Sequence, residues 1–238
     1  MTDSTQPASG RAIASVLQHA AWFDGCGADA LQAILDQATV KALKRGEMLV
    51  HRGEPICQLS VVLAGTLEVS TTSPAGKRHV VSYLEPGQLM NLIPFVDEGG
   101  AIHDFSAHED ALVLQIGKPL FDRLIATEPV LTHRLMRTLC LRARLTYTRL
   151  TDSLLLSLRQ RCAQTLLHLV SPYGTAAAQG VAISLKLSQE ELADMVGCSR
   201  PMVNRELKHL EMEGVIKMTY SHYVITDVSR LRSIVDGA

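Results

Sequence analysis

The chain has no surplus of positive charge: 23 Lys and Arg stand against 24 Asp and Glu in 238 residues, a formal net charge of -1. Affinity for a polyanion must therefore come from a local arrangement of basic groups, and composition alone does not suggest nucleic acid. The five cysteines, Cys26, Cys57, Cys140, Cys162 and Cys198, are odd in number and scattered, with no Cys-x-x-Cys pair and no N-terminal cluster. That pattern argues against a cysteine-held iron–sulfur cluster or a zinc site and fits a reducing compartment. No apolar run approaches bilayer length, and the opening MTDST lacks the basic-then-apolar order of a leader. A cytoplasmic protein with no membrane segment is expected. No Ser-His-Asp pattern, phosphate loop or metal-spaced motif stands out, and HRGEP at 51–55 reads as a turn between strands. The chain is not expected to be an enzyme. What is present is a hydrophobic content of 47%, enough over this length for two domains with separate cores.

From Lys44 to about Ile116, short β-branched runs such as LSVVLAGTLEVSTT and RHVVSYLEPGQL are broken by Gly and Pro. Gly53, Gly65, Gly76 and Gly87 fall at hairpin spacing, which predicts a β-barrel or β-roll. SVLQHAAWFDGCGADALQAILDQA, upstream, has helical spacing and predicts one or two leading helices. After Lys118-Pro119 the period becomes helical and stays so to Leu169, with a joint at Thr151 to Ser153, where poor helix formers cluster. Leu135, Leu139, Ala143, Thr146 and Leu150 form a stripe flanked by Arg134, Arg137, Arg142, Arg144 and Arg149. The stripe packs on a second copy, giving a homodimer, or on its own roll. SPYGTAAAQG at 171–180 reads as a loop that opens the last domain. The expected division is a sensory roll with leading helices over 1–118, a long dimerisation helix over 119–153 and a third segment over 154–238, an α+β architecture.

LADMVGCSRPMVNREL carries the sharpest signal. Ser188 and Glu191 have capping-box spacing and start a helix to about Val196. Gly197 supplies the turn, Ser199 the cap of a second helix, and Pro201 sits in the first turn, where no backbone donor is needed. Val203, Leu207 and Leu210 share one face; Arg200, Pro201, Asn204, Arg205 and Lys208 share the other. That second face is either an ordinary solvated surface or a donor set for base edges and phosphates. Gly214 closes the helix, and VIKMTYSHYVITD alternates about a Ser221-His222 turn as a two-stranded wing. Helix, turn, helix and wing together predict a winged helix-turn-helix whose second helix enters the major groove of double-stranded DNA.

The order of roll, long helix and LSQEELADMVGCSRPMVNRELKHLEMEGVI resembles the Crp/Fnr family of the cyclic AMP receptor protein and the fumarate-nitrate reduction regulator, from about Gly46 to Ile225. The resemblance implies a cyclic-nucleotide-binding-like roll and a dimeric transcriptional regulator that meets a palindromic site and RNA polymerase. It implies guanine contacts at Arg200 and Arg205 and phosphate contacts at Ser188 and Ser199. Pro201 departs from the family's usual Glu and offers no acceptor, so one base position is expected to be read differently or not at all.

In cyclic-nucleotide-binding relatives a Gly-Glu pair and, farther on, an Arg-Ser pair hold the ribose and the phosphate. An ungapped match puts Asn91-Leu92 and Ile102-His103 there, and from Gly87 to Asp110 there is no Lys or Arg against five acids, Asp97, Glu98, Asp104, Glu109 and Asp110. A buried phosphate needs a cationic or multi-amide partner. Cyclic AMP bound in the usual way is therefore not expected. Three readings stay open: an uncharged or aromatic effector touching Leu92, Ile102, Thr146 and Tyr147; haem on His51, His79, His103 or His108; or a filled pocket and a constitutively active protein. His103 and His108, five apart, would point to opposite faces of a strand and could not chelate one metal.

Overall fold

The computed structural model describes residues 10–237, so the leader reading at MTDST lies outside the described residues. The chain divides into two compact units, Met1–Ala143 and Arg144–Ala238.

In the first unit, helices α1 (Gly10–His19) and α2 (Ala28–Gln37) precede the strands. β1 (Thr39–Leu43), β2 (Met48–Val50), β3 (Gln58–Ala64), β4 (Leu67–Thr72), β5 (Arg78–Leu84) and β6 (Leu89–Met90) follow. Then come α3 (Leu92–Asp97), β7 (Asp104–Ala107), β8 (Ala111–Gly117), α4 (Lys118–Thr127) and α5 (Pro129–Leu155), which crosses into the second unit. The strands form two four-stranded antiparallel sheets, β1-β8-β3-β6 and β2-β7-β4-β5. They face each other over Val62, Val113, Leu67, Val69 and Phe105. β3 and β8 are apolar on both sides for a reason: Leu59, Val61, Leu114 and Ile116 turn the other way, into a second core with Leu17, Ile34, Phe95 and Phe121 from the helices. Each such fully buried aliphatic side chain is worth about 1.5–3 kcal/mol against leaving it exposed. At the turn where the chain passes from β3 in one sheet to β4 in the other, Gly65 has φ +73, and a Cβ there would lie 2.3 Å from the Asp110 carbonyl oxygen, so only glycine fits.

The expected single helix from 119 is interrupted. α4 ends at Thr127 and α5 begins at Pro129, with Glu128 at φ -122, ψ 80 between them. The cause is Pro129, which lacks an N–H and pushes the preceding residue out of the helical region. The expected joint at Thr151–Ser153 is also displaced. α5 continues through these residues, with the Thr151 hydroxyl donating to the Tyr147 carbonyl and the Ser153 hydroxyl to the Leu150 carbonyl, so the polar side chains are satisfied within their own turn. The break falls at Leu156–Ser157, where the Ser157 hydroxyl accepts from the Gln160 amide at 3.3 Å and the Gln160 side chain accepts from the Ser157 amide at 2.9 Å. The α5 stripe is split as well: Leu135 is buried in the first unit's core and Leu139 packs against it, whereas Leu150 is 58% exposed.

In the second unit α6 (Leu158–Tyr173) precedes β9 (Gly174–Ala177), β10 (Gly180–Ile183), α7 (Gln189–Val196), α8 (Arg200–Met212), β11 (Ile216–Thr219), β12 (His222–Ile225) and α9 (Val228–Asp236). The segment read as a loop at 171–180 is the end of α6 and a hairpin instead, since β10 pairs with both β9 and β12 in a sheet ordered β11-β12-β10-β9. Gly180, at φ +126, makes the turn where a Cβ would sit 2.1 Å from the Ile225 carbonyl oxygen. Nor does this unit's core begin near 171: Cys162, Ala163, Leu166 and Leu169 of α6 are buried in it.

Candidate nucleic-acid interface

α7 is held at its start by reciprocal bonds. The Ser188 hydroxyl accepts from the Glu191 amide at 3.2 Å, and a Glu191 carboxylate oxygen accepts from the Ser188 amide at 2.7 Å. Gly197, at φ +77, ends α7, and its amide donates to the Ala193 carbonyl. Ser199 is the N-cap residue of α8 by position, but its hydroxyl makes no capping bond; its carbonyl accepts from the Met202 and Val203 amides. Pro201 lies in the first turn, where its missing donor costs nothing.

Val203, Leu207 and Leu210 are fully buried, and Arg200, Pro201, Arg205 and Lys208 are exposed. Asn204 is half-buried, its side-chain oxygen accepting from Gln189 of α7 at 3.3 Å. The helix thus offers two guanidinium groups and an ammonium on one face while its other face closes the core. The sequence reading missed Glu206, which faces the core beside Leu207 at 9% exposure and pairs with Arg205 at 3.6 Å and His209 at 3.9 Å. Its helical register, three residues after Val203 and four before Leu210, marked it as a core position. The wing is present, with its turn at Tyr220-Ser221 rather than Ser221-His222. Ser221 adopts φ +59, and Tyr220 stands 94% exposed at the tip.

The expected effector residues have separate placements. Asn91 is buried at φ +58 just before α3, its carbonyl accepting from the Phe95 amide, and its side-chain nitrogen has no hydrogen-bond partner among the described residues. Leu92 is 1% exposed and belongs to the helix-side core, so it is not a surface for a ligand. Ile102 is 44% exposed. His103 is half-buried, with an unpartnered Nδ1 among the described residues. Burial and the Arg52 guanidinium hold its pKa below the ordinary histidine value, against the Asp104 carboxylate. Thr146 and Tyr147 are exposed on the part of α5 that belongs to the second unit.

Folding also supplies cations that the 87–110 segment lacks. Arg52 donates from its amide to Asp104 at 2.8 Å and from its guanidinium to the Thr71 hydroxyl at 3.1 Å. Arg142 of α5 donates to the Leu89 carbonyl, and burial lowers its pKa from the ordinary guanidinium value. Strand pairing and helix packing create these neighbours, so no local motif announces them. Among the expected haem ligands, His51 and His79 are exposed. The strand argument for His103 and His108 does not apply, because β7 covers only Asp104–Ala107 and the two flank it. The His108 ring packs edge-on against Tyr83 at 4.8 Å.

Comparison with known proteins agrees with this geometry. The cyclic nucleotide-binding domain family matches residues 40–128, and the Crp-like helix-turn-helix domain family matches residues 160–234. A CRP-like cAMP-activated global transcriptional regulator of Mycobacterium tuberculosis is 26% identical over 216 residues, 91% of this chain and 96% of that protein. The cAMP-activated global transcriptional regulator CRP of Haemophilus influenzae is 30% identical over 170 residues, 71% of this chain and 75% of its own. Among solved structures, the c-di-GMP responsive global regulator CLP of Xanthomonas campestris superposes with a TM-score of 0.73 at 21% identity, covering 84% of this chain and 99% of that one. No helix among the described residues is long and apolar enough to cross a membrane. With both domains in the family's order, and 30% identity to a regulator of which it spans three quarters, this chain belongs to the Crp/Fnr family of transcriptional regulators.

Proposed function

We propose that this protein acts in the cytoplasm as a homodimer that reads a palindromic DNA site through α8 and meets RNA polymerase at the promoters it regulates. Arg200 and Arg205 contact guanine edges, and Asn204, Lys208, Ser188 and Ser199 supply the polar and phosphate contacts around them. Pro201 leaves one position without an acceptor. The observation that carries this reading is the two-sided character of α8: a fully buried Val203, Leu207 and Leu210 behind an exposed Arg200, Arg205 and Lys208. A second copy is the occupant proposed for α5, where Met136, Leu141, Leu145, Leu150 and Leu154 are 47–77% exposed, far more apolar surface than a lone helix leaves in water. The two recognition helices would then lie about one DNA turn apart, giving half-sites centred roughly 10 to 10.5 base pairs from each other.

The roll, on this proposal, answers to an effector other than cyclic AMP held in the family's usual manner. Leu92, where an acid would meet the ribose, is sealed in the core, and Ile102, where an arginine would meet the phosphate, is apolar and exposed. Selection of duplexes from a random pool, repeated with Arg205→Ala, tests the DNA reading: the wild type should enrich an inverted repeat and the variant should lose one specified base pair per half-site. Equal enrichment from both would refute it.

A further inference from the structure

The recognition helix carries an acid where its pattern calls for a hydrocarbon. Glu206 falls between Val203 and Leu210 on the buried face, and its side chain is 12% exposed. One carboxylate oxygen lies 3.6 Å from the Arg205 guanidinium, whose side chain is 67% exposed, and the other lies 3.9 Å from His209 Nδ1. Behind the helix, the fully buried Cys162 thiol of α6 is pushed up to about 12 by burial first and then by negative charge at Cys198 and Glu206. An ionised carboxylate so placed needs a cation, because desolvating it alone costs several kcal/mol. The guanidinium beside it is the one that the proposed function assigns to a guanine.

We infer that Glu206 is a positioning and specificity-determining residue for Arg205. It holds the guanidinium against the root of the helix and masks its charge, so that a single phosphate oxygen recruits Arg205 poorly while a base edge offering two acceptors recruits it well. The acid lowers affinity for arbitrary DNA more than for the target, which widens the ratio between them. This inference rests on the proposed DNA reading, in which Arg205 faces a base.

Glu206→Gln keeps the side chain's size and removes its charge. Four proteins decide the matter: the wild type, Glu206→Gln, Arg205→Ala and the double variant, each titrated with the selected duplex and with random duplex over a range of salt. In the Arg205 background, Glu206→Gln should tighten random-DNA binding and steepen its log–log salt dependence by about 0.9 per protomer, one further phosphate contact. It should also cost about tenfold in preference for the cognate base pair opposite Arg205. In the Arg205→Ala background it should change neither quantity. A structural role alone would shift both backgrounds equally, and that result, like an unchanged salt slope with Arg205 present, overturns the inference while leaving the DNA reading intact. An Arg205→Ala protein that discriminates as well as wild type overturns the DNA reading and the inference with it. Glu206→Met, which fills the site with hydrocarbon, serves the same comparison if the glutamine variant melts too low to assay.

Discussion

Ser188 is asked to do two jobs, and substitution separates them. Its hydroxyl accepts from the Glu191 amide at 3.2 Å, closing half of the capping box that starts α7, while the proposed interface has it donating to a phosphate. In Ser188→Ala the Glu191 carboxylate still bonds the residue-188 amide, at 2.7 Å in the wild type, so only one of the two reciprocal bonds is lost. The expected cost is about 1 kcal/mol. α7 has eight residues, too few to persist without its cap and its packing, so the loss should appear as lower stability of the second unit. For a cooperative unit of 60–100 residues this corresponds to about 4–8 °C in Tm. Ser188→Asp, in contrast, caps as well as serine and adds favourable charge at the helix start. It should melt within about 2 °C of wild type. On DNA the order reverses: at a separation of about 5 Å and an effective dielectric near 20, a carboxylate facing a phosphate costs on the order of 3 kcal/mol. Ser188→Ala loses a single hydrogen bond, about 1 kcal/mol. Calorimetry and fluorescence anisotropy at fixed salt give both orders. Aspartate melting as low as alanine would remove the capping argument, and aspartate binding the selected duplex as tightly as wild type would remove the phosphate from Ser188.

Other expectations follow from the same geometry. Arg200→Ala should weaken specific binding by about 1–3 kcal/mol with little effect on melting, and Pro201→Glu, restoring an acceptor, should add a base preference at one half-site position in a repeated selection. Leu145, 47% exposed on α5, is proposed to lie against a second copy; Leu145→Glu should convert a dimer to monomer in sedimentation velocity, and an unchanged mass would place the dimer elsewhere. Cys57 and Cys140 are exposed, whereas burial pushes the Cys162 thiol up to about 12. At pH 8 iodoacetamide should modify Cys57 and spare Cys162 until the chain is unfolded, and modification of native Cys162 at a comparable rate would contradict its burial. Cyclic AMP at about 100 times the Kd of an ordinary binder would add about 2.7 kcal/mol of stability, and no such shift in melting is expected here.

The legible parts of this molecule are those whose physics is local. The capping box at Ser188, the glycine turn at Gly197, the proline in the first turn of α8 and the alternation of the wing each need only a few consecutive residues, and all are found in the structure, the wing with its turn one residue earlier than expected. Boundaries failed where a competing local bond decided them. The run Thr151-Asp152-Ser153 has poor helix propensity, yet it stays helical with its hydroxyls bonded to carbonyls of the preceding turn, and the break falls at Ser157, whose capping box with Gln160 starts α6. Pro129, like Pro119, marks a helix start, and it carries the signal for the break in the expected single helix. The apolar stripe on α5 could not be assigned from periodicity, because Leu135 and Leu150 look alike in sequence and differ only in what the fold puts beside them. Non-local neighbours were the least legible. Arg52 reaching Thr71 and Arg142 reaching the Leu89 carbonyl depend on strand register and helix packing, so a segment that looked empty of cations acquires them in space.

The chain contains a single tryptophan, Trp22, buried at 4% exposure with its indole nitrogen donating to the Gly87 carbonyl at 3.0 Å. That carbonyl belongs to the turn leading into β6 and Asn91. Intrinsic fluorescence excited at the red edge is therefore a built-in gauge of this corner of the roll. A titrant that changes the emission without DNA present has been felt by the roll, so a library of metabolites can be sorted by that optical response alone.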